Sequence, residues 1–221
     1  MKTIIVLLAL TAIVLSLDAK KTRGLPVLYF HGMGSSCNLE TITGFIPYMR
    51  KHAPLNNEIY CVEYARLLAT EITSMTHQGE SACNIVEKNA DKWDLKSNGF
   101  ILLGSSQGSL AARYVLQACD VGQYAKVLIT NGGPNMGVIR LPNTDYSGKG
   151  EVINNITDDI VYNDIIQNHV GPAGYFRSLR RYDDYLKKSN FLAAINNEST
   201  FNQTYKDRMT QLEKFVMIKF L

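Results

Sequence analysis

Gly104, Ser106 and Gly108 alternate in Gly104-Ser105-Ser106-Gln107-Gly108, a spacing that suits a serine nucleophile held on a tight strand-to-helix turn. The two glycines leave room where strand and helix approach each other. The serine backbone takes a conformation that side chains ordinarily avoid. Ser106 is the candidate nucleophile. A second cluster, His31-Gly32-Met33-Gly34, follows another apolar run. A His-Gly-x-Gly loop after a strand presents a backbone N–H to the oxyanion that develops during acyl transfer. The Met33 N–H is one expected donor, and the Gln107 N–H, at the start of the following helix, is the other. Gly32 and Gly34 let the loop come close to a substrate. His31 sits at the root of that loop and precedes the nucleophile, so its expected role is to hydrogen-bond the loop rather than to act as a base.

These residues need a scaffold, and the hydropathy pattern supplies one. Residues 100–103 form a continuous apolar run of the kind found in buried parallel strands, and Leu110, Tyr114, Val115 and Ala118 then recur at helical spacing. Residues 26–30 read as an earlier strand. A helix is expected over 39–51, with Ile42, Phe45, Ile46 and Met49 on one side, ending before Pro54. Residues 58–64 alternate as a strand, and 67–93 read as helix with Gly79 as its break. Residues 126–130 form the next strand, followed by the glycine-rich stretch 131–137, expected at the carboxyl edge of the sheet near Ser106. Alternation of strand and helix defines an α/β class with a mostly parallel sheet flanked by helices. From about 141 to 213 the pattern is helical and carries Tyr162, Tyr175, Phe176, Tyr182, Tyr185 and Phe191. This insertion is expected to cover the site and line an apolar pocket, while most of its aromatics pack against the sheet. Residues 215–221 read as a last buried strand.

Composition narrows the class further. The chain has 221 residues, 46% of them hydrophobic, enough for one domain with a large core. Its net charge is +3, with Lys2, Lys20, Lys21 and Arg23 near the start, so no basic face for nucleic acid is implied. Met1-Lys2, the apolar stretch 4–17 and Ala19 have the layout of a secretory signal peptide over 1–19, leaving 20–221 as the folded domain. The apolar stretch is shorter than the roughly 20 residues a membrane span takes, and no transmembrane anchor is expected. Sequons at Asn155, Asn197 and Asn202 agree with passage through the endoplasmic reticulum. No metal or cofactor motif is read.

The motifs together resemble the palmitoyl-protein thioesterases. The matching blocks are His31-Gly32-Met33-Gly34, Gly104 to Gly108, Gly132-Gly133-Pro134-Asn135-Met136-Gly137-Val138, Asn190 to Glu198 and Lys214 to Phe220. The resemblance implies the α/β-hydrolase fold and removal of fatty acyl groups from S-acylated cysteines of proteins or peptides. It also implies a soluble lysosomal setting, with secretion as the alternative destination, and a disulfide between Cys83 and Cys119. Cys37 and Cys61 stay unassigned, Cys61 reading equally as a buried thiol.

The fold normally takes an acid and then a histidine after the nucleophile. Only His169 follows Ser106, within the insertion, and Asp183 and Asp184 read as a solvated turn. The family pattern therefore reads as C-terminally incomplete. Two other readings stay open beside the thioesterase: an inactive relative that binds an acyl chain or a protein partner, and a secreted lipase or esterase acting on oxygen esters.

Overall fold

The computed structural model describes residues 24–52, 57–140 and 157–219. The expected leader, the mature start near Lys20, the sequon at Asn155, the first part of the insertion and the last two residues of the final expected strand lie outside the described residues.

Five parallel strands make one sheet: β1 (Val27–Phe30), β2 (Ile59–Cys61), β3 (Phe100–Ser105), β4 (Ala125–Asn131) and β5 (Lys214–Ile218), in the order β2-β1-β3-β4-β5. The chain leaves β1 for β2 on one side and then crosses to β3 on the other. Sheets of this type bind ligands beyond the strand carboxyl ends, where the winding reverses. The register aligns Phe30 with Gly104 and Gly104 with Thr130. The loops after β1, β3 and β4 therefore emerge side by side.

Helices flank the sheet: α1 (Glu40–His52), α2 (Ala69–Ile72), α3 (Met75–Asn89), α4 (Gly108–Ala118), α5 (Asp164–His169), α6 (Tyr182–Lys188), α7 (Leu192–Ile195) and α8 (Gln203–Thr210). On one face, Leu28, Phe30, Phe100, Leu102 and Leu128 pack with Ala82 and Val86 of α3 and with Ala111, Val115 and Leu116 of α4. Each such large side chain contributes about 1.5–3 kcal/mol on burial. On the other face, α1 applies Ile42, Phe45, Ile46 and Met49 to Tyr29 and Ile59, the side its spacing predicted.

Several expectations are corrected. The helical region over 67–93 breaks at the extended Thr73, not at Gly79, and α3 restarts at Ser74, whose Oγ accepts the His77 N–H at 3.3 Å. Gly79 lies inside α3 because a Cβ there would stand 2.4 Å from Cγ of Tyr114 on α4. The aromatics of the insertion do not lie on the sheet. Tyr162, Tyr175, Phe176, Tyr185 and Phe191 instead gather with Met75 and Leu110 into a second core, and Tyr182 is exposed. The strand expected over 58–64 stops at Cys61, after which Tyr64 turns under β1 to stack on the His31 ring, centroids 4.8 Å apart. β5 is exposed along its whole length rather than buried. Asp183 and Asp184 begin α6, and Asp184 pairs with Arg181 and with Lys188 at 2.8 Å.

Cys83 of α3 is bonded to Cys119 at the end of α4, the pairing that the resemblance implied. Cys37 is bonded to Cys61, so Cys61 is not a free thiol, and the loop after β1 is tied to β2. Among the described residues no helix is long and apolar enough to cross a membrane.

Candidate active site

Ser106 occupies the turn between β3 and α4 with φ +51°. Its N–H donates to Asn131 O at 2.8 Å, and its carbonyl accepts the Ser109 N–H at 3.0 Å, which holds the strained turn from both sides. The glycines on either side are required by contact. A Cβ on Gly104 would stand 2.3 Å from Ser109 Cα, and one on Gly108 would stand 2.3 Å from the carbonyl oxygens of Phe30 and His31. The Ser106 side chain is left exposed at the carboxyl edge of the sheet.

The loop after β1 lies directly against it. A Cβ on Gly32 would come within 3.2 Å of Ser106 Cβ, so Met33 and Gly34 follow immediately beside the serine. Met33 is partly exposed and faces the same cavity as Ser106. Gln107 is fully buried and its side-chain amide is saturated. Nε2 donates to Thr70 O and to Gln78 Oε1, each at 2.9 Å, and Oε1 accepts the Tyr175 hydroxyl at 3.0 Å. Burial, with a smaller contribution from Glu71, pushes the Tyr175 phenol well above its usual range, so it stays a donor. The two expected oxyanion donors are thus brought to the same place as Ser106. The roles of Thr70, Gln78 and Tyr175 were not legible in the sequence. Their partners lie on separate elements, and no local spacing marks them.

A cavity of about 520 Å³ opens from Ser106. Its walls are mainly apolar: Met33, Pro134, Val138, Ile160, Val161 and Phe176 take part. A short parallel bridge closes one wall, with the Val138 N–H donating to Tyr175 O at 3.0 Å and the Arg177 N–H to Val138 O at 2.8 Å. The glycine-rich stretch after β4 and the insertion therefore line one pocket with Ser106, as the sequence predicted.

All four histidines face elsewhere. His31 is buried, with Nδ1 3.0 Å from Gly32 O and Nε2 3.0 Å from Glu63 Oε1, which is the loop-holding role expected of it. His52 packs on Tyr48, His77 lies 3.4 Å from Glu80 Oε2, and His169 is exposed with Nδ1 2.9 Å from Ile165 O. Among the described residues none of them supplies a base to Ser106. His31, Cys37 and Glu63 bring ligand-type atoms within 4.8 Å of one another, but the Cys37 sulfur is committed to its disulfide.

A parallel sheet in this order, with a serine at positive φ between β3 and α4 and a glycine loop beside it, is the arrangement of an α/β-hydrolase. The mature form of a Bacillus licheniformis lipase shares the fold, with a TM-score of 0.50 at 14% identity over 87% of this chain and 64% of that one. The chain belongs to the palmitoyl protein thioesterase family, whose pattern matches residues 26–221. It is 28% identical to a palmitoyl-protein thioesterase-dolichyl pyrophosphate phosphatase fusion of Schizosaccharomyces pombe, over 97% of this chain and 35% of that protein. It is also 28% identical to palmitoyl-protein thioesterase 1 of Caenorhabditis elegans, over 97% of this chain and 72% of the relative. The chain thus spans about a third of the length of the first relative and under three quarters of the second.

Proposed function

We propose that the protein hydrolyses long-chain acyl thioesters, palmitoyl groups on cysteines of proteins or peptides, with Ser106 as nucleophile and the Met33 and Gln107 amides as oxyanion donors. One observation carries this reading: Ser106 lines an apolar cavity of about 520 Å³, large enough for a fatty chain whose carbonyl end would meet the serine. Attack by Ser106 would expel the cysteine thiol and leave an acyl-serine, which water then releases as the fatty acid. Family membership and the relatives' names support a thioester substrate. The reading needs no cofactor. The signal-like N-terminus and the sequons at Asn155, Asn197 and Asn202 support a secretory route ending in the lysosome, with residues 20–221 as the hydrolase domain and about 141–213 as its insertion.

A second reading is favoured by one specific observation, the four histidines that all face away from Ser106. A serine without a base is a weak nucleophile, and loss of triad members leaves only a residual about 10³–10⁴-fold over water. On this reading the 221-residue chain binds an acyl chain in the same cavity and turns it over slowly.

Turnover of a palmitoyl thioester by the purified chain, and by Ser106→Ala, decides between them. Ser106-dependent release of palmitate supports hydrolysis, whereas binding of palmitate with no such release supports the second reading. A matched oxyester run in parallel tests the lipase alternative. Ala173→Phe, which fills the cavity from a buried wall position, is expected to abolish both binding and release.

A further inference from the structure

We propose that the Thr70 hydroxyl is a positioning group that sets the loop donor Met33, beside the main-chain carbonyl of the same residue that anchors Gln107; this rests on the Ser106 reading above. Thr70 is fully buried on α2 and is not among the residues lining the cavity, so it acts through others. Its Oγ1 accepts the Gly34 N–H at 2.7 Å and donates to Leu67 O at 2.6 Å. Its carbonyl accepts Gln107 Nε2 and Gln78 Nε2, each at 2.9 Å. Gly34 directly follows Met33, and Gln107 directly follows Ser106. One residue of a third element therefore bonds beside the first expected donor and to the side chain of the residue whose backbone N–H is the second.

Each donor's peptide has one local contact: Ser106 O accepts the Ser109 N–H at 3.0 Å, and Gly32 O lies 3.0 Å from His31 Nδ1, while the loop beyond Met33 is held from outside. Gly34 has φ +71° and no Cβ, so its backbone is free to rotate unless something outside the loop fixes it. The Thr70 hydroxyl is that fixture. Gln107 sits at the entry to α4 with no side-chain cap, and its buried amide is anchored instead on Thr70, Gln78 and Tyr175. α2 is in turn docked on the same loop, because the Leu67 N–H donates to Ser35 O at 2.7 Å. Oxyanion donors work at about 2.7–3.1 Å from the developing charge, so displacement by a fraction of an ångström removes much of their effect.

Thr70→Val keeps the branched shape and deletes the hydroxyl; Thr70→Ser keeps the hydroxyl. Both are compared with the unaltered 221-residue chain in binding two probes. Palmityl trifluoromethyl ketone forms a tetrahedral adduct with Ser106 in which the serine oxygen bonds the carbonyl carbon, the serine proton passes to solvent and the ketone oxygen becomes the anion. A hexadecyl thioether offers the same chain with no carbonyl to attack. The expected result for Thr70→Val is a loss of about tenfold or more in ketone affinity relative to the thioether, below the 10²–10³ of deleting a donor outright. Thr70→Ser is expected to stay within about twofold of the unaltered chain, as a retained hydroxyl requires. If valine does not fold, Thr70→Ala removes the same acceptor and carries the same expectation. Equal loss for both probes would mean a merely structural residue and overturn the proposal. So would a serine variant as weak as valine. An unaltered chain that binds the thioether but not the ketone overturns the Ser106 reading itself, and this proposal with it.

Discussion

Gly32 and Ser106 stand so close that a Cβ on the glycine would lie 3.2 Å from Ser106 Cβ and 3.8 Å from its Oγ. The loop after β1 and the turn after β3 are therefore fitted to each other at the Ser106 hydroxyl. Gly32→Ala is expected to push the loop outward by a few tenths of an ångström, moving Met33 from its place. Misplacement by about 1 Å costs about 10²-fold in rate, so a drop of about tenfold in Ser106 acylation is expected. Thermal melting is expected to stay within a few degrees. Wild-type acylation by the alanine variant would show that the contact does not position the donor.

Two helical glycines are expected to respond oppositely to alanine. Gly44 of α1 has nothing within 4 Å of where a Cβ would go, and Gly44→Ala is expected to stabilise by about 0.5–1 kcal/mol through helix propensity. Gly79 would drive its new methyl into the Tyr114 ring at 2.4 Å. Gly79→Ala is expected to cost about 1–3 kcal/mol despite the better propensity. Urea denaturation of the two variants checks both signs.

The same glycine shows why the sequence was legible only in part. Ser106, Gly104 and Gly108 could be read because strand, turn and helix are contiguous, and α1 could be read because its apolar spacing is local. Gly79 reads as a break, since nothing near it in the chain announces that a tyrosine of another helix packs over it. The aromatics of the insertion are plainly apolar, yet their spacing does not say which surface they cover. They gather with Met75 and Leu110, partners from distant parts of the chain, rather than on a strand. Cys37 and Cys61 pair through the alignment of β1 with β2, a tertiary fact. Thr70 has no motif at all; its partners come from three other elements.

The Cys37–Cys61 bond closes a separation of 24 residues. In the chain-entropy account such a crosslink is worth about 3 kcal/mol. Replacing both cysteines by alanine is expected to lower stability by about that amount, and Cys83→Ala/Cys119→Ala, with a separation of 36, by slightly more. Only the first pair is expected to weaken Ser106 acylation as well, because only it tethers the loop that carries Met33. Denaturation and acylation measured without reductant separate the two effects.

Buried phenols give the protein an alkaline limit. Burial pushes Tyr162 from 10.0 up to about 12; its hydroxyl donates to Phe176 O at 3.0 Å and accepts the Ser178 N–H at 2.9 Å. Burial also raises Tyr64, Tyr175 and Tyr185. A group with a raised folded pKa gives stability that is complete below its unfolded value and lost as pH rises through the folded one. Arg113, pushed down to about 10 by burial, acts in the opposite sense over the same range, one group against seven raised phenols, Tyr29, Tyr114 and Tyr205 included. Unfolding free energy is therefore expected to fall from pH 10 upward, with Tyr162→Phe flattening the fall. Urea titrations between pH 8 and 12, read alongside phenolate absorbance, test it; stability constant up to pH 12 would contradict it.

β5 sets the behaviour of the chain in solution. It is bonded to β4 on one side, and among the described residues no strand pairs with the other. Phe215 and Met217 point to one face and Val216 and Ile218 to the opposite one, by the alternation of a strand. All four are exposed, Met217 at 64%. An exposed apolar strand with free N–H and C=O groups is a template for pairing with another copy, and lysine on such a strand opposes it. The 221-residue chain is therefore expected to self-associate as its concentration rises. Met217→Lys is expected to suppress this without lowering the melting temperature, since the side chain it replaces is largely solvated. Sedimentation velocity across a concentration series reads both. If the unaltered chain remains monomeric throughout, the edge of β5 is protected by something other than its side chains, and the lysine variant would then change nothing.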